Sequence, residues 1–156
     1  MNKLKILLGL IYLYLILLLV HFYMLIFHWH AYPMFTSSDL ILGGWLPYIN
    51  VGSKMIYFIS FSLLASGIFT IIRKGYFNKK AFKSFRVSGW TLLIVGVLHL
   101  LKDILSSLHE NPFNNLNSMI SIILTISIIF LGLGILFLGD ILKNGLQLKS
   151  ENDLTI

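Results

Sequence analysis

No cysteine occurs among the 156 residues, which excludes disulfides, thiolate nucleophiles and Cys-ligated zinc or iron–sulfur sites. Charge is scarce too. Asp, Glu, Lys and Arg make up 12% of the chain, about half the share carried by an ordinary soluble domain, and a water-facing surface would need the missing half. No HExxH pair, no Gly-rich phosphate loop and no Ser/His/Asp order of known spacing is present, so no enzymatic activity and no cofactor is expected. The alternating pattern of an outer-membrane barrel, with strands of about ten residues, is missing as well. What the chain has is apolar mass: 57% hydrophobic residues and a mean hydropathy of +0.86. Its length allows one domain, 1–156, holding several bilayer spans.

Four stretches are long and apolar enough to cross. The first, Ile6 to Phe27, runs twenty-two residues without a formal charge. A signal peptide has an apolar region of about 7–15 residues and ends in a small-residue cleavage site; this run is longer and continues into His28, Trp29 and His30, so it is expected to be retained. The second span is Met55 to Ile72, bracketed by Lys54 and Arg73–Lys74. The third opens at Val87 and must continue through Lys102 and Asp103 to about Leu108 to cover the core. Lys102 can snorkel to the interface, whereas Asp103 is too short to do so as easily. The fourth, Met119 to Gly139, is the cleanest. Backbone polar groups in hydrocarbon need internal partners, so all four are helices, and the expected fold is an all-α integral membrane four-helix bundle.

Ten of the twelve cations fall at the N-terminus (Lys3, Lys5), between spans two and three (Arg73, Lys74, Lys79, Lys80, Lys83, Arg86) and after span four (Lys143, Lys149). In a four-span chain these regions share one side, and cations are retained in the cytoplasm. Both termini are therefore expected inside, in a multi-pass protein of the inner membrane. Six of the cations lie within Arg73–Arg86, interleaved with Tyr76, Phe77, Phe82 and Phe85. That pattern suits a solvated topology signal at the membrane surface better than a lipid-specific site, and either better than nucleic acid, so no direct nucleic-acid binding is expected. Asn78 is placed to cap a short helix there, with Ala81, Phe82 and Phe85 toward the membrane and Lys79, Lys80 and Lys83 toward water. The 28–54 connection, with Trp29, Trp45, Tyr32 and Tyr48, is long and aromatic, which suits an interfacial segment around 40–49 covering the outer end. The 110–118 connection, with Asn111–Pro112, reads as a turn.

Ionisable groups inside spans are the first place to look for chemistry. His99 and Asp103 are four apart and share a helix face. His21 and His99 are expected at similar depth in the outer half, with His28, His30 and His109 nearer the outer mouth. Three uses are open: hydrogen bonding that fixes packing, a small-molecule or metal site between spans one and three with His21 and His99 as ligands oriented by Asp103, and a bis-His haem. Gly89/Gly96 and Gly132/Gly139 are each spaced by seven, which repeats on one face and permits close helix approach, within the chain or in a homo-oligomer.

The fourth helix is expected to run to about Asn144, with Gly145 as its C-cap. The remaining tail carries Leu146, Leu148, Leu154 and Ile156 among Glu151, Asn152 and Asp153, a pattern of apolar anchors suited to docking on a partner. The closing LKSENDLTI (Leu148 to Ile156), the connector FNKKAFKSFR (Phe77 to Arg86) leading directly into a span, and the four-span layout resemble a bacterial membrane family, domain of unknown function 2975. The resemblance brings no catalytic residues. It implies genomic company, since such proteins are commonly encoded beside a small helix-turn-helix regulator. It leads to the expectation of a non-enzymatic membrane protein that senses or sequesters such a regulator through its tail.

Overall fold

The computed structural model describes residues 2–27, 46–109 and 116–154, with side chains over 2–24, 51–105 and 119–154. Residues 1, 28–45, 110–115, 155 and 156 lie outside the described residues, and with them most of the expected interfacial segment, the expected turn and Ile156. Four helices result: α1 (Asn2–Phe27), α2 (Leu46–Lys74), α3 (Lys79–His109) and α4 (Leu116–Leu154). Each contains a stretch long and apolar enough to cross a membrane. Cross-helix contacts fix the arrangement as antiparallel throughout. Tyr14 meets Phe61, Ser88 meets Ser60, and Asp103 meets Ser121. Residues 2, 74, 79 and 154 therefore lie toward one end and residues 24, 51, 105 and 119 toward the other.

The helices pack in chain order, α1 on α2, α2 on α3 and α3 on α4, with the last pair most intimate; helices that are not chain neighbours touch only marginally. One core joins all four, built from Ile11 and Leu15, from Leu64, Ala65, Ile68 and Ile71, from Ala81, Phe85 and Leu92, and from Ile135. α2 and α3 are central, with 39% of their apolar windows buried against 17% for α1 and α4. The outward faces of the flanking helices are Leu, Ile, Val and Phe, including Phe130 and Phe137. Such a surface is suited to acyl chains and not to water.

Several helix ends differ from the sequence expectation, each for a local reason. α2 begins at Leu46, so part of the expected external segment is its first turns. The expected short connector helix and the third span are one continuous α3, because nothing between Lys79 and Val87 breaks a helix. Asn78 does cap it: the Lys80 N–H donates to Asn78 Oδ1 at 2.8 Å. Ala81 and Phe85 do not face lipid but are buried, at 0% and 6% exposure. Gly67 on α2 makes room for the Phe85 ring, which a Cβ there would meet at 2.7 Å. Gly145 is not a C-cap, since α4 runs through it to Leu154. The capping glycine is Gly75, at φ 85°, whose N–H donates to the Ile71 carbonyl at 2.9 Å and closes α2.

The two glycine pairs spaced by seven face each other. A Cβ on Gly89 would lie 2.9 Å from the Leu136 nitrogen and 3.0 Å from the Gly132 oxygen, and one on Gly132 would lie 3.0 Å from the Leu93 nitrogen. A Cβ on Gly96 would meet the Ile129 side chain at 2.8 Å, whereas one on Gly139 would make only ordinary contact, 3.6 Å from the Arg86 nitrogen. Backbone therefore touches backbone along α3–α4, and these faces are used within the chain. Gly132→Leu is expected to force the two helices apart and to cost about 1–3 kcal/mol, the scale of overpacking in a close-packed interior. Gly134→Leu, at a glycine with nothing within 4 Å, is expected to be neutral. Unfolding of both variants in detergent micelles checks this, and equal stability of the two would refute the close-approach account.

Candidate functional site

Polar side chains collect at the end of the molecule away from the termini and form a belt that crosses all four helices. On α1 and α2, Lys54 Nζ lies 2.6 Å from His21 Nε2; an ammonium can only donate, so that ring nitrogen is the acceptor. One turn further along α2, the Tyr57 ring sits against His99 of α3, with centroids 5.7 Å apart. Lys102 Nζ is 3.9 Å from Asp103 Oδ1. Asp103 Oδ2 accepts hydrogen bonds from Ser121 Oγ and Thr125 Oγ1 of α4, both at 3.0 Å. Asp103 is only 8% exposed. A carboxylate there would be costly if unpaired, and α4 supplies the donors.

The belt explains an oddity of the charge pattern. Lys54 and Lys102 are the two cations that do not fall with the other ten, and each has a polar partner at this end. A separate hydroxyl set joins α2 to α3 deeper in the stack. Ser60 Oγ donates to Thr91 Oγ1 at 2.6 Å, and Ser88 Oγ donates to the Ser60 carbonyl at 2.8 Å. Both serines are completely buried.

Of the three residues singled out from sequence, the structure does not make one ligand set. His21 turns to Lys54, His99 lies on Tyr57, and Asp103 turns toward α4. Among the described residues no three His, Asp or Glu side chains converge to hold a metal ion. His28 and His30 lie outside the described residues, and His109 ends α3. His99 has a distinct feature: its Nε2 is buried without a hydrogen-bond partner among the described residues. The same residue lines a pocket of ≈ 200 Å³ with Ser53, Ile56, Val95 and Lys102, apolar but for those few groups. Lys54, Tyr57, Ser121 and Thr125 were not singled out from sequence. For the last two the signal is partial: a hydroxyl pair four apart marks one face of a helix, but nothing local pairs that face with Asp103.

The partner-binding candidates lie at the other end. Glu151, Asn152 and Asp153 are exposed on the last turns of α4, as are Leu148 and Leu154, at 63% and 86%. Leu146 is half-buried and Ile156 lies outside the described residues.

Four apolar antiparallel helices, pinned by buried hydroxyls and by a polar belt at one end, define an all-α protein of membrane-spanning class. Within that class the chain belongs to the family described as protein of unknown function DUF2975, whose profile matches residues 1–156. No curated protein and no solved structure matches the chain.

Ser121→Ala or Thr125→Val alone is expected to cost about 0.6 kcal/mol, the mean for an interhelical hydrogen bond in a bilayer, because the other hydroxyl still serves Asp103. The double variant takes both hydroxyl donors from a buried carboxylate and is expected to cost about 1–3 kcal/mol more than the singles predict together. A double-mutant cycle by reversible unfolding in micelles measures the coupling, and strict additivity would show that Asp103 does not depend on this pair.

Proposed function

We propose that the chain is a non-enzymatic protein of the inner membrane, with both termini in the cytoplasm, that holds a small helix-turn-helix regulator through the end of α4. The observation that carries the reading is the continuity of α4. This helix contacts Asp103 through Ser121 and Thr125 at one end and continues without a break to the exposed Leu148 and Leu154 at the other. At about 1.5 Å per residue it is far longer than the roughly 30 Å hydrocarbon core requires, and the excess stands on the termini side. The grouping of ten cations at that side supports its assignment to the cytoplasm. The apolar residues of the last turns supply anchors for a partner groove, and the helix presents them in the form such grooves accept. An event at the polar belt that alters the bonds of Asp103 acts directly on α4, and a ligand or signal favouring one packing of α4 would shift the population of tail positions.

A second reading, a small-molecule site at His99, is supported by the partnerless Nε2 and the pocket beside it. It supposes a ligand with one hydrogen-bonding group for that nitrogen and an apolar body. Native-mass and absorption spectra of the purified chain are expected, on this reading, to show one bound molecule that is absent from His99→Leu; a bare mass in both would end it.

The primary reading is tested by co-expression with a small helix-turn-helix regulator of the kind the family resemblance implies. Membranes carrying the full chain are expected to retain the regulator, and membranes carrying a chain that ends at residue 145 are expected to lose at least nine-tenths of it at equal levels of inserted protein. A regulator made in the cytoplasm reaches the tail only if the tail is inside, so the same measurement tests the orientation. Equal retention by both chains would remove the tail from the function.

A further inference from the structure

On the termini side, the first turns of α3 and the extension of α4 flank an open cleft of ≈ 670 Å³. Its rim carries four lysines from two separate elements, Lys79 and Lys83 on α3 and Lys143 and Lys149 on α4, while Phe77, Phe82 and Leu146 supply apolar wall. We propose that this cleft is a binding site for the phosphate headgroup of an anionic phospholipid. The inference does not depend on the regulator, only on the chain lying in a bilayer.

Three features point the same way. The first is the charge balance: against four lysines the lining holds one acidic side chain, Asp153, so the cleft brings like charges together with little internal compensation. An added anion relieves that repulsion. The amino end of the 31-residue helix α3 opens at Lys79 and adds partial charge of the same sign. The second feature is depth. The apolar run of α4 ends at Gly139 and Lys143 stands one turn beyond it, the level of a headgroup phosphate, while Lys149 stands further out, about 15 Å past Gly139. The third is the shape of the wall. A Cβ at Gly145 would collide with the Phe77 ring, so the glycine lets that ring lie against α4 and line the cleft. A cleft that is cationic at its rim and apolar on its wall matches an amphipathic ligand better than a free inorganic anion.

A merely solvated topology signal would use all cations of that face alike, and the test rests on this difference. The full chain is equilibrated in mixed micelles of phosphatidylglycerol and phosphatidylcholine, and the lipid retained per chain is counted by native mass spectrometry. Wild type is expected to retain phosphatidylglycerol preferentially. Lys83→Gln combined with Lys143→Gln is expected to lower that retention roughly tenfold, whereas Lys3→Gln combined with Lys5→Gln, which removes the same charge from the same face, is expected to leave it unchanged. Asp153→Asn is expected to raise retention, a gain that misfolding cannot produce. Millimolar inorganic phosphate is expected not to displace the lipid. Equal loss in the two lysine pairs, no gain in Asp153→Asn, or displacement by inorganic phosphate would each overturn the proposal.

Discussion

Hydrocarbon offers no hydrogen bonds, and every polar group of this chain that enters it must find a partner inside the protein. That constraint fixes the helices, since only they satisfy the backbone within one segment. It also fixes where the few polar side chains sit. Ser60 and Ser88 are completely buried and bonded across α2–α3, and Asp103 takes two hydroxyls from α4. Cations gather where headgroups and water can solvate them. Arg73 and Arg86 lie over Phe69 and Phe82, at 4.5 and 6.0 Å from the ring centroids, an arrangement that shares the interface between a charge and an aromatic face. In this setting the buried Nε2 of His99 stands out because the general rule is so closely kept around it.

Lipid is as apolar as leucine, so the helices cannot be held together by hiding leucines from it; packing contacts and hydrogen bonds must do so. The order of intimacy among the pairs follows. α3 and α4 approach backbone to backbone at Gly89 and Gly132. α2 and α3 share hydroxyl bonds and the Gly67–Phe85 fit. α1 has neither device. Its glycine, Gly9, has nothing within 4 Å, and it rests on α2 through Ile11, Leu15, the Tyr14–Phe61 ring pair and the His21–Lys54 bond. The least attached helix is therefore tied near its C-terminal end by a charged contact, which sets its height and rotation against α2 more than its affinity.

The spans and their number were legible in the sequence because a bilayer leaves so few solutions for long uncharged runs. The glycine faces were legible for the same reason, their spacing of seven repeating on one side of a helix. Helix ends were not. Gly145 and Gly75 are both glycines near the end of an apolar run, and only the position of Phe77 shows that the first is needed for close passage while the second adopts a positive φ. Phe85 looked lipid-facing because amphipathicity was read against water, whereas the side that matters is set by Gly67 on another helix. The partners of His21 and Asp103 were hidden for a related reason. Lys54 lies 33 residues from His21 and Thr125 lies 22 from Asp103, and no local pattern encodes the register of one span against the next.

α4 joins these constraints. Its first turns bond Asp103, its middle carries the glycines that α3 packs on, and its last turns leave the apolar layer beside a rim of lysines. A helix held by close backbone contact along its middle does not bend easily there, so a displacement at one end would be carried to the other as a rotation or a shift of the whole rod. The belt end is polar and the opposite end is charged. The strongest packing in the chain lies between them. The chain is divided accordingly, into polar bonds at the belt, close packing at the centre and an exposed helical extension beyond it.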